Sequence, residues 1–237
     1  MIKFLRNIRR NMITNNKVTK YFLYAIGEII LVVIGILIAL QINNWNENKK
    51  NRELESEILA QIRDNLEQDQ TRLQEIRNSY IIAVRSSENL IDESKRAQYP
   101  DSIIYWLGHV IKFERFQPIT NSYEALKSAG LQLVNDNELR KKLGLYYDDQ
   151  INHTIQALGD VELAFNNEWL PLLENHVKDF KFSVYVKVED MPSFLNETNA
   201  IRLFILNRDN IGAAINHVND ALKKIEEINS LMPENLR

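Results

Sequence analysis

The sequence predicts an all-α fold: one N-terminal transmembrane helix, a long helix after it, an extramembrane helical bundle, and one isolated strand-like segment near 180–188. Three observations carry this. YFLYAIGEIILVVIGILIALQI fills Tyr21–Ile42 and holds nothing more polar than Gly35 between Ile29 and Leu40. Neither glycine nor proline occurs between Gly35 and Tyr99, a stretch too long for any element but a helix. Beyond Leu54 apolar residues return every three or four positions, the period of a helix with one buried face.

The first segment is read as a span. A 22-residue helix rises about 33 Å, enough for a hydrocarbon core of about 30 Å. Tyr21, Tyr24 and Trp45 stand where interfacial aromatics belong. A cleaved signal peptide is the competing reading, since it too begins basic and continues apolar. Against it, this stretch outruns a usual apolar core and enters Gln41-Ile42-Asn43-Asn44-Trp45 without a small-x-small cleavage site.

Charge orients the span. Residues 1–20 hold Lys3, Arg6, Arg9, Arg10, Lys17 and Lys20 and no acid. The far flank mixes Lys49, Lys50 and Arg52 with Glu47, Glu53, Glu55 and Glu57. Cations near a span stay inside, so the N-terminus is expected in the cytoplasm and the body outside. The tail is either purely topogenic or a short amphipathic helix, with Ile2, Leu5, Ile8 and Ile13 among its cations, lying on anionic lipid. The absence of cysteine fits an oxidising compartment but is common elsewhere.

The expected organisation is a basic tail (1–20), the transmembrane helix (21–42), a stalk helix (43–98), and the rest of the bundle (99–237), packed against 54–98. Without the six tail cations and Glu28, 23 basic residues face 31 acidic ones, a net charge of −8. An acidic body with a basic foot argues against nucleic acid as a partner.

In the long helix the seam is Ile62, Leu66, (Asp69), Leu73, Ile76, Tyr80, Ala83, (Ser87) and Leu90, with charges opposite. Such a seam closes either within the chain or on a second copy, so the chain is expected to be a homo-oligomer or to join an integral-membrane partner. Residues 199–231 offer a mate, reading Ile201, Phe204, (Arg208), Ile211, Ile215, Val218, Leu222 and Ile225, stopped by Met232-Pro233. Between them, Asp101 or Ser102 opens a helix through IIYWLGHVIKFERF that Pro118 stops. Thr120 precedes NSYEALKSA with Gly130 at its C-terminal end, and Asn135 or Asp136 opens a helix closed before Pro171.

Phe180, Phe182, Val184, Val186 and Val188 alternate strictly, a strand pattern. A lone strand leaves its backbone unpaired. The segment is therefore an extended loop on the bundle, or a strand added to another chain.

The opening MIKFLRNIRR…KYFLYAIGEIILVVIGILIALQINNWNE resembles the shared start of an uncharacterised family of single-span Bacteroidota membrane proteins. The YAIGEI and ALQINNWNE strings carry the likeness, over about residues 1–47. It implies an inner-membrane protein with a periplasmic helical domain and no assigned activity, and it brings no catalytic residues.

Glu28 is the residue with most chemical interest, because a carboxylate within a span is expensive. Gly27, Gly35 and Ala39 give a strip of small residues for close helix approach. A basic tail, one span with an acid and an outer body resemble the ExbD and MotB type of proton-motive stator subunit, though no peptidoglycan-binding or small α/β module is legible here. Glu28 then snorkels to the headgroups, contacts a neighbouring helix, or relays protons. No catalytic, cofactor or metal residues are assigned. Four histidines and no cysteine or HExxH leave only Asp149 and His153 at a ligand spacing. Phosphate loops and nucleophile elbows are absent. The aromatics Tyr105, Trp106, Phe113, Phe116, Tyr123, Tyr146, Tyr147, Phe165 and Trp169 read as core rather than as a ligand box, although a bundle of this kind leaves room for a small-molecule pocket whose ligand is unknown.

Overall fold

The computed structural model describes residues 18–96, 98–196 and 198–234. The basic tail, including its amphipathic option, lies outside the described residues, as do the side chains of Lys20 and Tyr21. The chain divides into two compact units, up to Leu54 and from Glu55 onward.

Helix α1 runs from Val18 to Glu93. Its part in the first unit carries an apolar window of mean hydropathy 2.7 with none of its residues buried. Here is one helix long and apolar enough to cross a membrane. In the second unit α1 becomes two-faced. Ile62, Leu66, Asp69, Leu73, Ile76, Tyr80, Ala83, Ser87 and Leu90 are all buried, at alternating spacings of four and three. Each fully buried Leu or Ile among them contributes about 1.5–3 kcal/mol.

Shorter helices follow. Helix α2 is Ile103–Val110, with Ser102 at its cap position but no side-chain bond there. The helical reading of IIYWLGHVIKFERF is corrected: the helix stops at Val110, and residues 112–120 form an extended strap. Helix α3, Asn121–Ala129, ends at Gly130, whose φ of 103° suits glycine. Asp136 caps the next helical run, its Oδ1 accepting from the amides of Glu138 at 2.8 Å and Leu139 at 3.0 Å.

That run extends from Asn137 to His176 and passes through Pro171 instead of closing before it. It comprises α4 (Asn137–Gly144), a π-helical turn (Leu145–Gln150), α5 (Ile151–Ala164), a second π turn (Phe165–Trp169) and α6 (Leu170–His176). Proline lacks the N–H that would bond one turn back, and the wide π turn just before it relaxes the ladder at that point.

The alternating segment folds back on itself. β1 (Val177–Lys181) pairs antiparallel with β2 (Tyr185–Val188), with Phe180 opposite Val186 and Lys181 opposite Tyr185. The mate sought in another chain is thus the segment's own second half, and the extended-loop reading is corrected. Ser183 makes the turn at φ 64°, where glycine or asparagine is usual. The face does not alternate either: Val186 is buried, whereas Phe180, Phe182 and Val184 are exposed. Gly108 of α2 is what lets the hairpin in, for a Cβ there would stand 2.4 Å from the Val184 carbonyl carbon and 2.5 Å from the Tyr185 nitrogen.

After α7 (Met191–Asn196), the last helix α8 runs from Thr198 to Leu231. Its buried line is Ala200, Phe204, Asn207, Ile211, Ala214, Val218, Ala221, Ile225 and Ile228, again four-three throughout. The expected Ile201, Arg208 and Ile215 are only half-buried, and the small residues beside them take the inner positions. Alanine at 200, 214 and 221 permits close backbone approach, and α8 packs chiefly on α5. The core forms two clusters. One joins the α1 seam from Ile58 to Ala83 with α3–α5 and the C-terminal part of α8. The other gathers Leu90, α2, Trp169, Val186 and Phe204.

Candidate functional site

Glu28, Gly27, Gly35 and Ala39 all lie on the exposed surface of α1 in the first unit. A Cβ added at Gly27 or Gly35 would meet nothing within 4 Å. The seam residues Ile62, Leu66, Leu73, Ile76 and Tyr80, expected to close within the chain or between copies, are each fully covered inside this one chain. Phe180 and Phe182 of the hairpin join Phe113 and Phe165 in a surface aromatic group, with Phe182 edge-on to Phe113 at 5.1 Å and to Phe165 at 5.6 Å.

The polar chemistry of the second unit is concentrated where the strap crosses α1. Among the described residues, 112–119 make no backbone–backbone hydrogen bonds of the kind that hold turns and sheets. Their backbone is bonded instead by side chains, in an order antiparallel to α1. Ser86 Oγ lies 3.1 Å from Nδ1 of His109. The Glu114 amide donates to Tyr80 Oη at 3.1 Å, and the Glu114 carboxylate accepts from Ser79 at 2.7 Å and from Arg72 at 3.0 Å. Arg72 also donates to the Arg115 carbonyl at 3.3 Å. The Ile119 amide donates to Asp69 Oδ1 at 3.1 Å, and Asn65 Nδ2 donates to Asn121 Oδ1 and Ser122 Oγ at 2.9 Å. From the opposite side, Asn207 of α8 donates to the Val110 carbonyl at 2.8 Å, and Arg115 pairs with Glu162 of α5. Asp69, Arg72 and Tyr80 of one helix thus bond backbone groups of the strap as a neighbouring strand does in a sheet.

Asp69 is the buried charge in this array. Its second oxygen accepts from Tyr146 Oη at 3.1 Å. Burial pushes the carboxyl up to about 6, against the pull of the Ile119 and Tyr146 donors. The π turn widens the helix so that Tyr146 and Tyr147, adjacent in sequence, both reach the interior. Tyr147 stacks on Tyr123 with ring centroids 4.4 Å apart, and Tyr123 Oη donates to Asp148 at 2.7 Å. Burial raises all three phenols, and Asp69 raises Tyr146 and Tyr147 further. Among the described residues the buried Tyr147 hydroxyl has no hydrogen-bond partner. At the other end of the strap, burial lowers Lys112, and burial together with Lys112 lowers His109.

The sequence reading had Asp69 as a polar interruption of the seam. Its signal was an acid at a seam position with apolar residues on both sides, and its partners lay in segments that look unrelated to it. Asp149 and His153 do pair, at 3.2 Å, and His153 stacks on His217. No group of three metal-ligating side chains occurs among the described residues. A cleft of about 680 Å³ lies between the π turn with α6 and the start of α8, lined by Asn167, Leu172, Asn175, Arg202, Leu203 and Leu206.

A helical domain built on one long helix, with an apolar exposed segment at the near end of that helix, is the class these features define. The chain belongs to a family of unknown function, DUF6090, whose model matches residues 28–149. The match begins at Glu28 and continues about a hundred residues past the apolar segment, so the likeness covers α1 from Glu28 onward, the strap and the Asp69–Tyr146 pair, and leaves out residues 1–27. No curated protein and no solved structure matches.

Proposed function

We propose that the chain is a membrane-anchored periplasmic helical interaction or scaffold protein, with its N-terminus in the cytoplasm and no enzymatic activity. The observation behind this reading is the contrast within α1. Its first part exposes apolar side chains on every side, while the seam after Glu55 is satisfied within the chain. An apolar helix surface without a protein partner is suited to lipid. Contacts with copies or partners then fall to the span and to the outer surface of the bundle, with Gly27, Gly35 and Ala39 as the place of closest helix approach. The absence of cysteine makes a direct test simple. Single cysteines at Asn15 and Asp101 are treated with an impermeant maleimide on cells whose outer membrane has been opened. Labelling at 101 and not at 15 supports the orientation, and the reverse overturns it.

A second reading makes the protein an accessory subunit of an energised or sensory membrane complex. It is favoured by Glu28, an exposed carboxylate on an otherwise apolar surface. Isolation of the full-length chain from its host in mild detergent distinguishes the two. A stoichiometric multi-span partner that is lost on Glu28→Gln supports the complex. Recovery as a monomer or homo-oligomer, indifferent to Glu28→Gln, supports the scaffold.

A further inference from the structure

We propose that residues 111–120 are an acid-tightened latch: a proton on Asp69 holds the strap against α1, and loss of that proton releases the strap while the helices stay folded. The geometry supplies both halves of the device. Asp69 is 2% exposed and sits where the strap turns into α3. It faces the Ile119 amide from the strap and the phenols of Tyr146 and Tyr147 from the π turn. Arg72, one turn along the same helix, is committed to Glu75 and Glu114. On the strap, Lys112 lies at the far end, Glu114 is held by Arg72 and Ser79, and Arg115 is turned to Glu162. The carboxylate therefore has two donors and, among the described residues, no paired cation, and its ionised form carries a loss of hydration that those donors only partly offset.

The strap is the part of the fold that yields to that strain. Helices on either side keep their own backbone bonds, whereas the strap between Lys112 and Ile119 holds only by side chains. Opening it admits water to Asp69 without breaking a helix, a low-energy local unfolding. The sign follows from linkage. The carboxyl stands at about 6 in the closed state against 3.8 when solvated, so closure binds the proton more tightly. The closed state is favoured below pH 4 and loses ground as pH rises through 6.

Hydrogen–deuterium exchange on the full-length chain in lipid nanodiscs tests this, with rates converted to protection factors to remove the intrinsic pH dependence. Between pH 5 and 7.5 protection of the Glu114 and Ile119 amides is expected to fall about tenfold. Amides within Thr154–Glu162 of α5 keep theirs. Asp69→Asn should flatten the strap's response, and Tyr146→Phe, which removes a donor to the carboxylate, should move its midpoint to higher pH. A wild-type strap with flat protection, a fall shared equally by α5, or an unmoved midpoint in Tyr146→Phe overturns the latch. So does an unaltered slope in a folded Asp69→Asn chain.

Discussion

The two parts of α1 are one continuous helix built to opposite rules. From Phe22 to Ile42 leucine, isoleucine and valine occupy every face and stay exposed. From Ile58 to Leu90 a line of residues spaced four and three apart, most of them leucine or isoleucine, is buried, whereas Ile82 off that line is exposed. Hydrophobicity without periodicity suits a surrounding that is apolar on all sides, and hydrophobicity with periodicity suits a surrounding that is apolar on one. Each part carries an acid among its apolar residues: Glu28 in the first and Asp69 in the second. The first stands exposed, and the second is enclosed and bonded by Ile119 and Tyr146.

The comparison breaks most visibly at the seam. Leu73→Glu places a carboxylate where no partner waits, and the second unit should lose more than about 4 kcal/mol, enough to unfold it, as read by circular dichroism and urea titration. A variant that keeps its helicity and midpoint would mean the seam is looser than its burial indicates. Ile34→Arg is the counterpart in the first part. It should cost about 2.5–3.5 kcal/mol of membrane insertion, seen as a shift toward the soluble or aggregated fraction, with the urea midpoint of the second unit unchanged. Coupled loss of both properties would show that the exposed segment packs on protein after all.

Smaller effects test how closely the strap's neighbours fit. Gly108→Ala drives a methyl group into the Val184–Tyr185 backbone, and the hairpin must shift, at roughly 1–3 kcal/mol. The check is the thermal midpoint together with faster exchange of the hairpin amides. Ser183→Gly should act in the other direction, raising stability by about 0.5–1 kcal/mol because glycine adopts a φ of 64° without a Cβ clash. A fall in stability would mean the Ser183 side chain supports the turn.

Much of this architecture was legible in the sequence, and the misses share one cause. The α1 seam was readable to the residue because spacing alone fixes which side of a long helix is covered. Gly130 and Asp136 were readable because their roles are local. The strap was not, since Val110, Ile111, Phe113 and Phe116 also fit a helix, and what holds the chain extended there comes from Asp69, Arg72 and Tyr80, some forty residues earlier. The hairpin was hidden by an unbroken alternation whose centre, Phe182-Ser183-Val184, lacks any usual turn residue. In α8 the larger isoleucines at 201 and 215 drew the register one position away from Ala200, Asn207 and Ala214. Alanine adds little hydropathy, yet its small size is what allows α5 so near. Each miss is a tertiary contact overriding a local preference.

Spin labels on single cysteines, stepped through Phe22–Ile42 and through Ile58–Leu90 of the full-length protein in bilayers, test the two-rule account most directly. Collision with dissolved oxygen is compared with collision with a water-soluble reagent at each position. The account predicts high oxygen access on every face of the first stretch and a 3.6-residue oscillation in the second, with minima at Ile62, Leu66, Leu73, Ile76 and Tyr80. A matching oscillation in the first stretch, or none in the second, would contradict it.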